Sequence, residues 1–401
     1  MSAGLSARQW KKGQLQDLVF FQRGFDITQA QQTPGPYPVI SSSGVTSYHS
    51  EFKASGPGVV IGRKGTLGSV HFSDSDYWPH DTTLWSKDLR GNNPRFVYYY
   101  LHTVNFKRFD VGNSNPTLNR NHIHDLPVLI PPIDIQERIA DFLSTYDDLI
   151  ENNRRRMALL EDAARQLYHE WFVRLRFPGH EHTRIIDGMP QGWTTKTVGE
   201  VLEFHIGGGW GQDESYGSET EEAYVIRGTD IPEVENGNFK AVGLRFHDPQ
   251  KLSKRLLGAG DIVFEVSGGS ATQAIGRTLL VTEELLRVFS PRVICASFCK
   301  MFRLSDPLMP YFLNRFFRHI RESGELAVFQ KQSASALQNF QFQAFLDEQK
   351  VVVPTPTLLK EFCEMQKTLV RQQNNLAIEN QNLKAARDLL LPRLMSGEIV
   401  V

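Results

Sequence analysis

The side chains in this sequence best suited to chemistry are hydrogen-bond donors gathered in short polar runs, not activated nucleophiles. Ser41, Ser42 and Ser43 stand together, and Arg63, Lys64 and Thr66 share a glycine-bounded turn. Asn113, Ser114, Asn115, Thr117, Asn119 and Arg120 crowd one stretch of eight residues. Farther along come Arg227 and Thr229, then Ser267, Ser270 and Arg277, then Gln330, Lys331 and Ser333. Guanidinium, amide and hydroxyl groups of this kind read base edges, while basic side chains and backbone amides hold phosphates. The chemistry they suit is recognition of a nucleic acid. The 330–333 run is expected as a loop ahead of a closing strand, the counterpart of 113–120.

Bond-making chemistry finds less support. The run Gly62-Arg63-Lys64-Gly65-Thr66 lacks the spacing of a phosphate-cradling loop, and residues 205–211 are too featureless for a dinucleotide fingerprint and read as a loop. Asn115-Pro116-Thr117 lacks the second proline and the aromatic residue with which DNA amino-methyltransferases grip their target. His122 with His124, and His180 with His182, have no third ligand nearby and read as surface histidines, so no metal is expected. Asp261 and Glu265 lack a lysine partner, Cys295 and Cys299 read as core, and Trp78 and Trp210 as packing residues. No catalytic residue emerges, and the chain is expected not to be an enzyme by itself.

The elements that must position these runs are duplicated. Trp10, Leu15, Leu18, Phe21 and Gly24 recur as Trp193, Val198, Val201, Phe204 and Gly207, at an offset of 183. Pro94, Phe96, Tyr98 and Tyr99 recur as Pro307, Met309, Tyr311 and Phe312 at 213, and Ile130-Pro131 as Val353-Pro354 at 223. Offsets that only grow describe one unit repeated, the second copy carrying insertions. Each copy opens with a globular part: short β-branched runs (59–61, 261–264, 278–281) and helical patches (96–105, 311–321) predict a mixed α/β fold. Each then passes a proline into a long stretch free of Gly and Pro, 134–177 and 357–391, with Asp134 and Thr357 as expected N-caps. Ile139, Phe142, Tyr146, Leu149, Asn153, Leu160, Leu167 and Trp171 predict one apolar stripe. Phe362, Leu369, Leu376, Leu383 and Leu390 predict another, at a spacing of seven. The expected layout is residues 1–132 and 179–353 as globules, with 133–178 and 354–401 as long helices plus a tail. Those helices pair antiparallel within the chain and hold the globules apart; a dimerising coiled coil is the other arrangement the heptads allow. Asn152, Asn153, Asn374 and Asn375 could set the register.

Composition narrows the class. The chain has 401 residues, 44 Lys+Arg against 45 Asp+Glu, and a formal net charge of -1. Such a balance supplies no broad positive field, so affinity for a polyanion must come from local clefts or from a partner. Three cysteines make no disulfide framework and point to a reducing compartment. No signal segment and no apolar run approaching a membrane span is found, so a cytoplasmic location without membrane contact is expected.

Two dissimilar readers at fixed separation suit a DNA site with two unequal halves. Several segments carry a family resemblance: LPVLIPPIDIQERIADFL, ARQLYHEWFVRLRFPGHE, DGMPQGW and the terminal LLLPRLMSGEIVV. With them the chain resembles the specificity subunit of type I restriction–modification systems, over its whole length. The resemblance implies two target recognition domains, each reading half of a split DNA site, and two helices that set the gap. It also implies docking of two methyltransferase subunits, which bring S-adenosylmethionine to an adenine, and of restriction subunits in the full complex, in a bacterial or archaeal cytoplasm. The chain itself is expected to bind no cofactor. Ile150, Met157, Leu159, Tyr168, Trp171 and Phe172 lie off the stripe or crowd the first helix end, and are the expected docking residues. The alternative reading is a coiled-coil scaffold with two peptide- or protein-binding globules; a free-standing enzyme with its site between the globules is a third.

Overall fold

The computed structural model describes residues 10–109, 117–268, 275–332, 338–399 and 401. Asn113, Ser114, Asn115, Ser270 and Ser333 lie outside the described residues. The chain forms two compact units, Met1–Ile150 with Leu383–Val401, and Glu151–Asn382. Both long helices, Ile133–Tyr168 of 36 residues and Pro356–Met395 of 40, contribute residues to each unit. The compact units therefore cut across the sequence boundaries at 132, 178 and 353.

In the first unit a sheet runs in the order Phe20–Arg23, Thr83–Asp88, Gly58–Gly62, Val70–Ser73. A second sheet has Tyr37–Ser41 between antiparallel Gly44–His49 and parallel Trp78–Pro79. Lys11–Gln14 pairs with Pro127–Ile130, closing the unit. The second unit repeats this wiring. Phe204–Gly207, Cys299–Arg303, Ile262–Glu265 and Thr278–Leu280 form the first sheet. Glu221–Ile226 lies between antiparallel Gly243–His247 and parallel Val293–Cys295, and Thr194–Thr197 pairs with Lys350–Val353. Helices Pro94–His102 and Met309–Glu322 take equivalent places after those sheets. The insertions fall between equivalent strands: residues 227–242 replace the tight Ser42-Ser43 turn, and a helix Glu283–Val288 is added.

Backbone contacts set the correspondence more finely than residue matching. Gly24 N–H donates to the Thr83 carbonyl, and Gly208 N–H to that of Cys299. A Cβ on Gly24 would sit 2.1 Å from the His80 carbonyl oxygen, and one on Gly208 2.1 Å from that of Cys295. Only glycine fits so close a backbone crossing. Gly24 thus corresponds to Gly208, one residue beyond the sequence match to Gly207.

Each unit buries segments of both long helices. In the first, Ile139, Ala140, Leu143, Leu391 and Leu394 join the core of Trp10, Phe21, Phe96 and Leu101. In the second, Met157, Leu376 and Ala377 pack with Ile226, Val263 and Met301. There Gln366 Nε2 donates to the Ala164 carbonyl at 3.0 Å and Gln373 Nε2 to that of Met157 at 3.3 Å, an antiparallel pairing.

The stripe expected on the first helix is met in part: Ile139, Asn153 and Trp171 are buried, but the packed face also takes in positions the stripe left out. The buried positions include Gln136, Leu143, Ile150, Met157, Ala164 and Trp171, seven apart, whereas Phe142 and Leu149 are exposed. The expected stripe favoured large side chains, whereas the packed face also carries a glutamine and an alanine; the Ala164 carbonyl meets Gln366 of the second helix. Gln136 donates to the Asn92 amide oxygen and the Pro131 carbonyl, and accepts the Asn93 N–H. Asn153 is buried and Asn374 bonds Thr282, while Asn152 and Asn375 face solvent. The helices start at Ile133 and Pro356, so Asp134 and Thr357 lie inside the first turn and are not caps.

Candidate nucleic-acid interface

The two units present the same edge, built from three backbone crossings. In the first unit the Arg63 and Lys64 N–H groups both donate to the Thr82 carbonyl, at 2.8 and 3.1 Å, and Leu118 N–H donates to the Arg63 carbonyl at 2.9 Å. In the second, Val266 and Ser267 donate to the Phe298 carbonyl at 3.0 and 3.3 Å, and Phe340 N–H to the Val266 carbonyl at 3.1 Å. Arg63 therefore corresponds to Val266, Lys64 to Ser267, Thr82 to Phe298, and Asn119-Arg120 to Gln341-Phe342. These bonds bring together segments that lie far apart in the chain.

In unit one the edge borders a cleft of about 660 Å³ whose lining includes Gln22, Arg23, Asp26, Arg63, Asn119 and Arg120. Asn119 caps the short helix Arg120–His124 by accepting the Asn121 N–H, which fixes Arg120 at the helix start. Arg63 is partly buried with Nη1 lacking a partner. Desolvation and the nearby Arg23 charge lower its pKa, while Asp81 acts the other way. A guanidinium held this way gains from an acceptor that enters the cleft. Arg23 pairs with Asp81 at 3.1 Å. Asp26, His80 and Asp81 place ligand atoms within 4.8 Å of one another, but Asp81 is already spent on Arg23 and His80. Lys64 and Thr66 are exposed on the same turn, and Thr117 precedes the crossing at Leu118. Ser41–Ser43 end the adjoining hairpin: the Ser41 and Ser43 hydroxyls bond each other at 2.9 Å, and the Ser42 carbonyl accepts the Ser69 hydroxyl.

Unit two gathers a different set. Gln330–Gln332 is a strand, not a loop, because it pairs with Gln338–Phe340, which in turn pairs with Ser267-Gly268. Register aligns Ser267 and Lys331 on either side of Asn339. Arg227 and Thr229 lie in the insertion that replaces the Ser42-Ser43 turn, so both hairpin-end candidates share one topological position. Arg227 is held by Asp230 through Nε and Nη2, with Asp230 itself buried. Thr229 is exposed.

Arg277 is a correction. It is buried and pairs with buried Glu265 at 2.7 Å; burial pushes the Glu265 carboxyl up despite that partner. A Cβ on Gly228 would meet the Glu265 carboxylate oxygen at 2.3 Å, so this pair carries the Arg227–Thr229 turn on its surface. Its role is support, since a guanidinium this buried and tied to Glu265 is not presented on the edge where a base would lie. His124 is also buried, its Nε2 accepting the Phe21 N–H at 3.1 Å, while His122 is exposed. Trp78 is buried, but Trp210 is 42% exposed and covered by the Arg245 guanidinium at 4.1 Å. Residues 205–207 of the expected loop belong to the strand Phe204–Gly207. Cys295, Cys299 and Cys363 are buried, and burial raises the Cys295 and Cys363 thiols to about 12. Gln22 and Arg23 escaped notice in the sequence because they end a strand with no polar neighbours to mark them.

The expected docking residues divide. Ile150, Met157, Tyr168 and Trp171 are buried within their units. Phe172 is half-buried against Trp193, Phe312 and Phe362. Leu159 is 70% exposed, and Phe142, Leu149 and Leu389 are further exposed apolar side chains on the helices. Among the described residues no helix is long and apolar enough to cross a membrane.

Comparisons with known proteins agree with this layout. Residues 7–162 match the type I restriction modification DNA specificity domain. The type I restriction enzyme MjaIX specificity subunit of Methanocaldococcus jannaschii is 24% identical over 319 residues, 76% of this chain and 69% of that one. The EcoprrI specificity subunit of Escherichia coli is 25% identical over 125 residues, 31% of each chain; the other curated relatives are likewise matched over a third to a half of their length. The crystal structure of the S subunit of a type I restriction–modification system from M. genitalium shares the fold, with TM-score 0.61 at 16% identity over 96% of both chains.

Proposed function

We infer that this chain is the DNA-specificity subunit of a type I restriction–modification system, a sequence reader and scaffold without catalytic residues of its own. One observation carries the reading: a fold built twice presents the same three-way backbone crossing in each unit, with unlike side chains on it. Equivalent scaffolds with different donors suit a bipartite, asymmetric DNA site, one half per unit. The long helices, shared by both units, set the gap between the halves. Their exposed Phe142, Leu149 and Leu159 offer the apolar anchors that a protein partner needs. Those partners are two methyltransferase subunits that hold S-adenosylmethionine, with restriction subunits in the complete assembly.

A net charge of -1 accords with weak DNA binding by the isolated chain and tighter binding once partners add positive surface. Co-expression with the cognate methyltransferase subunit, followed by methylome sequencing, should reveal one split adenine-methylated motif. Genomic DNA without such a motif would overturn the proposal. Salt-independent capture of peptides by the purified chain, with no DNA binding in any complex, would favour the peptide-binding scaffold instead.

Within that complex, Arg63→Ala should relax one position of the half-site read by unit one and cost roughly 1–3 kcal/mol of specific binding. Arg120→Ala, if it loses a phosphate contact, should weaken all sequences alike and reduce the salt slope by about 1. Binding titrations at several salt concentrations separate the two effects; an unchanged motif and slope in both variants would remove the arginine cleft from the interface.

A further inference from the structure

The two edges differ most at the residue whose carbonyl ties the crossing together. Thr82 spends its hydroxyl locally, accepting the Ser42 N–H at 3.3 Å and bonding His80 Nδ1 at 3.0 Å. Its counterpart Phe298 has no such use. The Phe298 ring is 56% exposed, stands between exposed Ser297 and buried Cys299, and stacks on no other ring among the described residues. The side chains around it have changed in the same sense. Where unit one has Arg23, Arg63 and Arg120, unit two has Gly207, Val266 and Phe342, the last covered by the Lys300 ammonium at 4.2 Å. The guanidiniums that would favour guanine are absent from these positions. An apolar ring is held out instead, beside the strand pairing that carries Ser267 and Lys331.

We propose that Phe298 is a specificity-determining residue of unit two, packing against the 5-methyl group of a thymine in the half-site which that unit reads. The thymine methyl is the one apolar group that the base edges of the major groove present, and a phenyl ring can neither donate to guanine or adenine nor accept from cytosine. The backbone at Phe298 is fixed by its two accepted hydrogen bonds, at 3.0 and 3.3 Å, so the ring projects from a rigid edge. Its placement pays little penalty in the free chain, since a lone exposed aromatic is tolerated on a surface, but it gives the edge a means of telling thymine from cytosine. The inference rests on the DNA-specificity reading above.

The test uses the chain assembled with its methyltransferase subunits. Methylome sequencing first defines the wild-type split motif; if no split motif exists, the DNA-specificity reading fails, and this inference with it. Given the motif, duplexes carrying deoxyuridine in place of each thymine in turn remove single methyl groups. Wild-type complex should bind one such duplex, substituted in the half assigned to unit two, about threefold to tenfold more weakly. Phe298→Ala complex should bind the thymine and deoxyuridine duplexes equally, and Phe298→Leu should keep part of the discrimination. Thr82→Ala should leave the deoxyuridine profile of that half unchanged. A wild-type motif with equal deoxyuridine sensitivity in wild-type and Phe298→Ala complexes, or with none in that half, overturns the assignment of Phe298 while leaving the DNA-specificity reading in place.

Discussion

A Phe362→Ala chain should lose roughly 3–5 kcal/mol of the stability of unit two, because the removed ring leaves a cavity that its neighbours cannot fill. Phe362 is fully buried near the start of the second long helix. Its ring lies 4.7 Å from Phe172 in an edge-on arrangement, 5.8 Å from Trp171, and 6.1 Å from both Phe312 and Tyr168. Those partners come from the end of the first long helix, from the π-helical turn His169–Val173 that follows it, and from helix Met309–Glu322. Rigid rings on two separately anchored elements, the continuous 133–173 stretch and helix Met309–Glu322, collapse poorly into a void. Urea unfolding followed by tryptophan fluorescence, compared with the wild-type chain, measures the loss; Trp171 and Trp193 report from inside this core. A loss below about 1 kcal/mol would mean that the aromatic cluster does not pack as described.

Glu161→Gln should be nearly as damaging, for an electrostatic reason. The Glu161 carboxylate accepts Arg315 through both oxygens at 2.6 and 3.0 Å, Arg318 at 3.1 Å, and the Gln373 amide at 3.3 Å. Arg318 also pairs with Glu235. Arg315 is only 4% exposed at its side chain. Burial by itself would push the Glu161 carboxyl up, but the Arg315 hydrogen bond and the Arg318 and Arg315 charges outweigh it and hold the group at about 2. Removing one partner of a buried pair costs roughly 3–5 kcal/mol, and the remaining 34% exposure of Glu161 places this case near the lower end. The sign of the pH dependence follows from a folded-state pKa below the ordinary 4.5. The stabilisation is complete above about pH 4.5 and drains away as pH falls toward 2. The stability gap between wild type and Glu161→Gln should therefore be constant at neutral pH and close through that acid window. A gap that stays constant to pH 2.5–3, about the limit of a workable melt, would contradict the linkage argument. The double variant Glu161→Leu, Arg315→Leu should recover much of the loss, since apolar replacement of both partners removes the unpaired charge.

Much of this architecture was readable in the residues. The duplication, the α/β character of both globules and the two long helices all rest on local patterns: paired tryptophans, β-branched runs between glycines, and long stretches without Gly or Pro. The candidate site was legible in part. Arg63, Asn119 and Arg120 do line one cleft, and Ser267 and Lys331 do face each other across one strand. Arg277 reads like its neighbours in sequence, yet Glu265 claims it, because the strand pairing of 262–265 with 278–280 brings the two side chains to one buried place. The helix stripe was legible at Ile139, Asn153 and Trp171 but not at Phe142 and Leu149, for a related reason. Periodicity locates an apolar face only when the largest side chains point inward, and here Gln136 and Ala164 are buried while Phe142 and Leu149 are not.

Read alone, the residues reveal that one unit occurs twice, that each ends in a long helix, and that polar donors cluster in short runs. These are properties of neighbouring residues, and neighbouring residues are what a chain specifies directly. Which donors stand together emerges from the fold: Thr82 and Phe298 hold equivalent crossings, Arg23 joins Arg63 and Arg120, and Arg227 and Arg277 are held by acids. Those outcomes depend on backbone hydrogen bonds between segments tens of residues apart, and on whether a carboxylate reaches a guanidinium before solvent or DNA does. Neither is encoded in spacing along the chain.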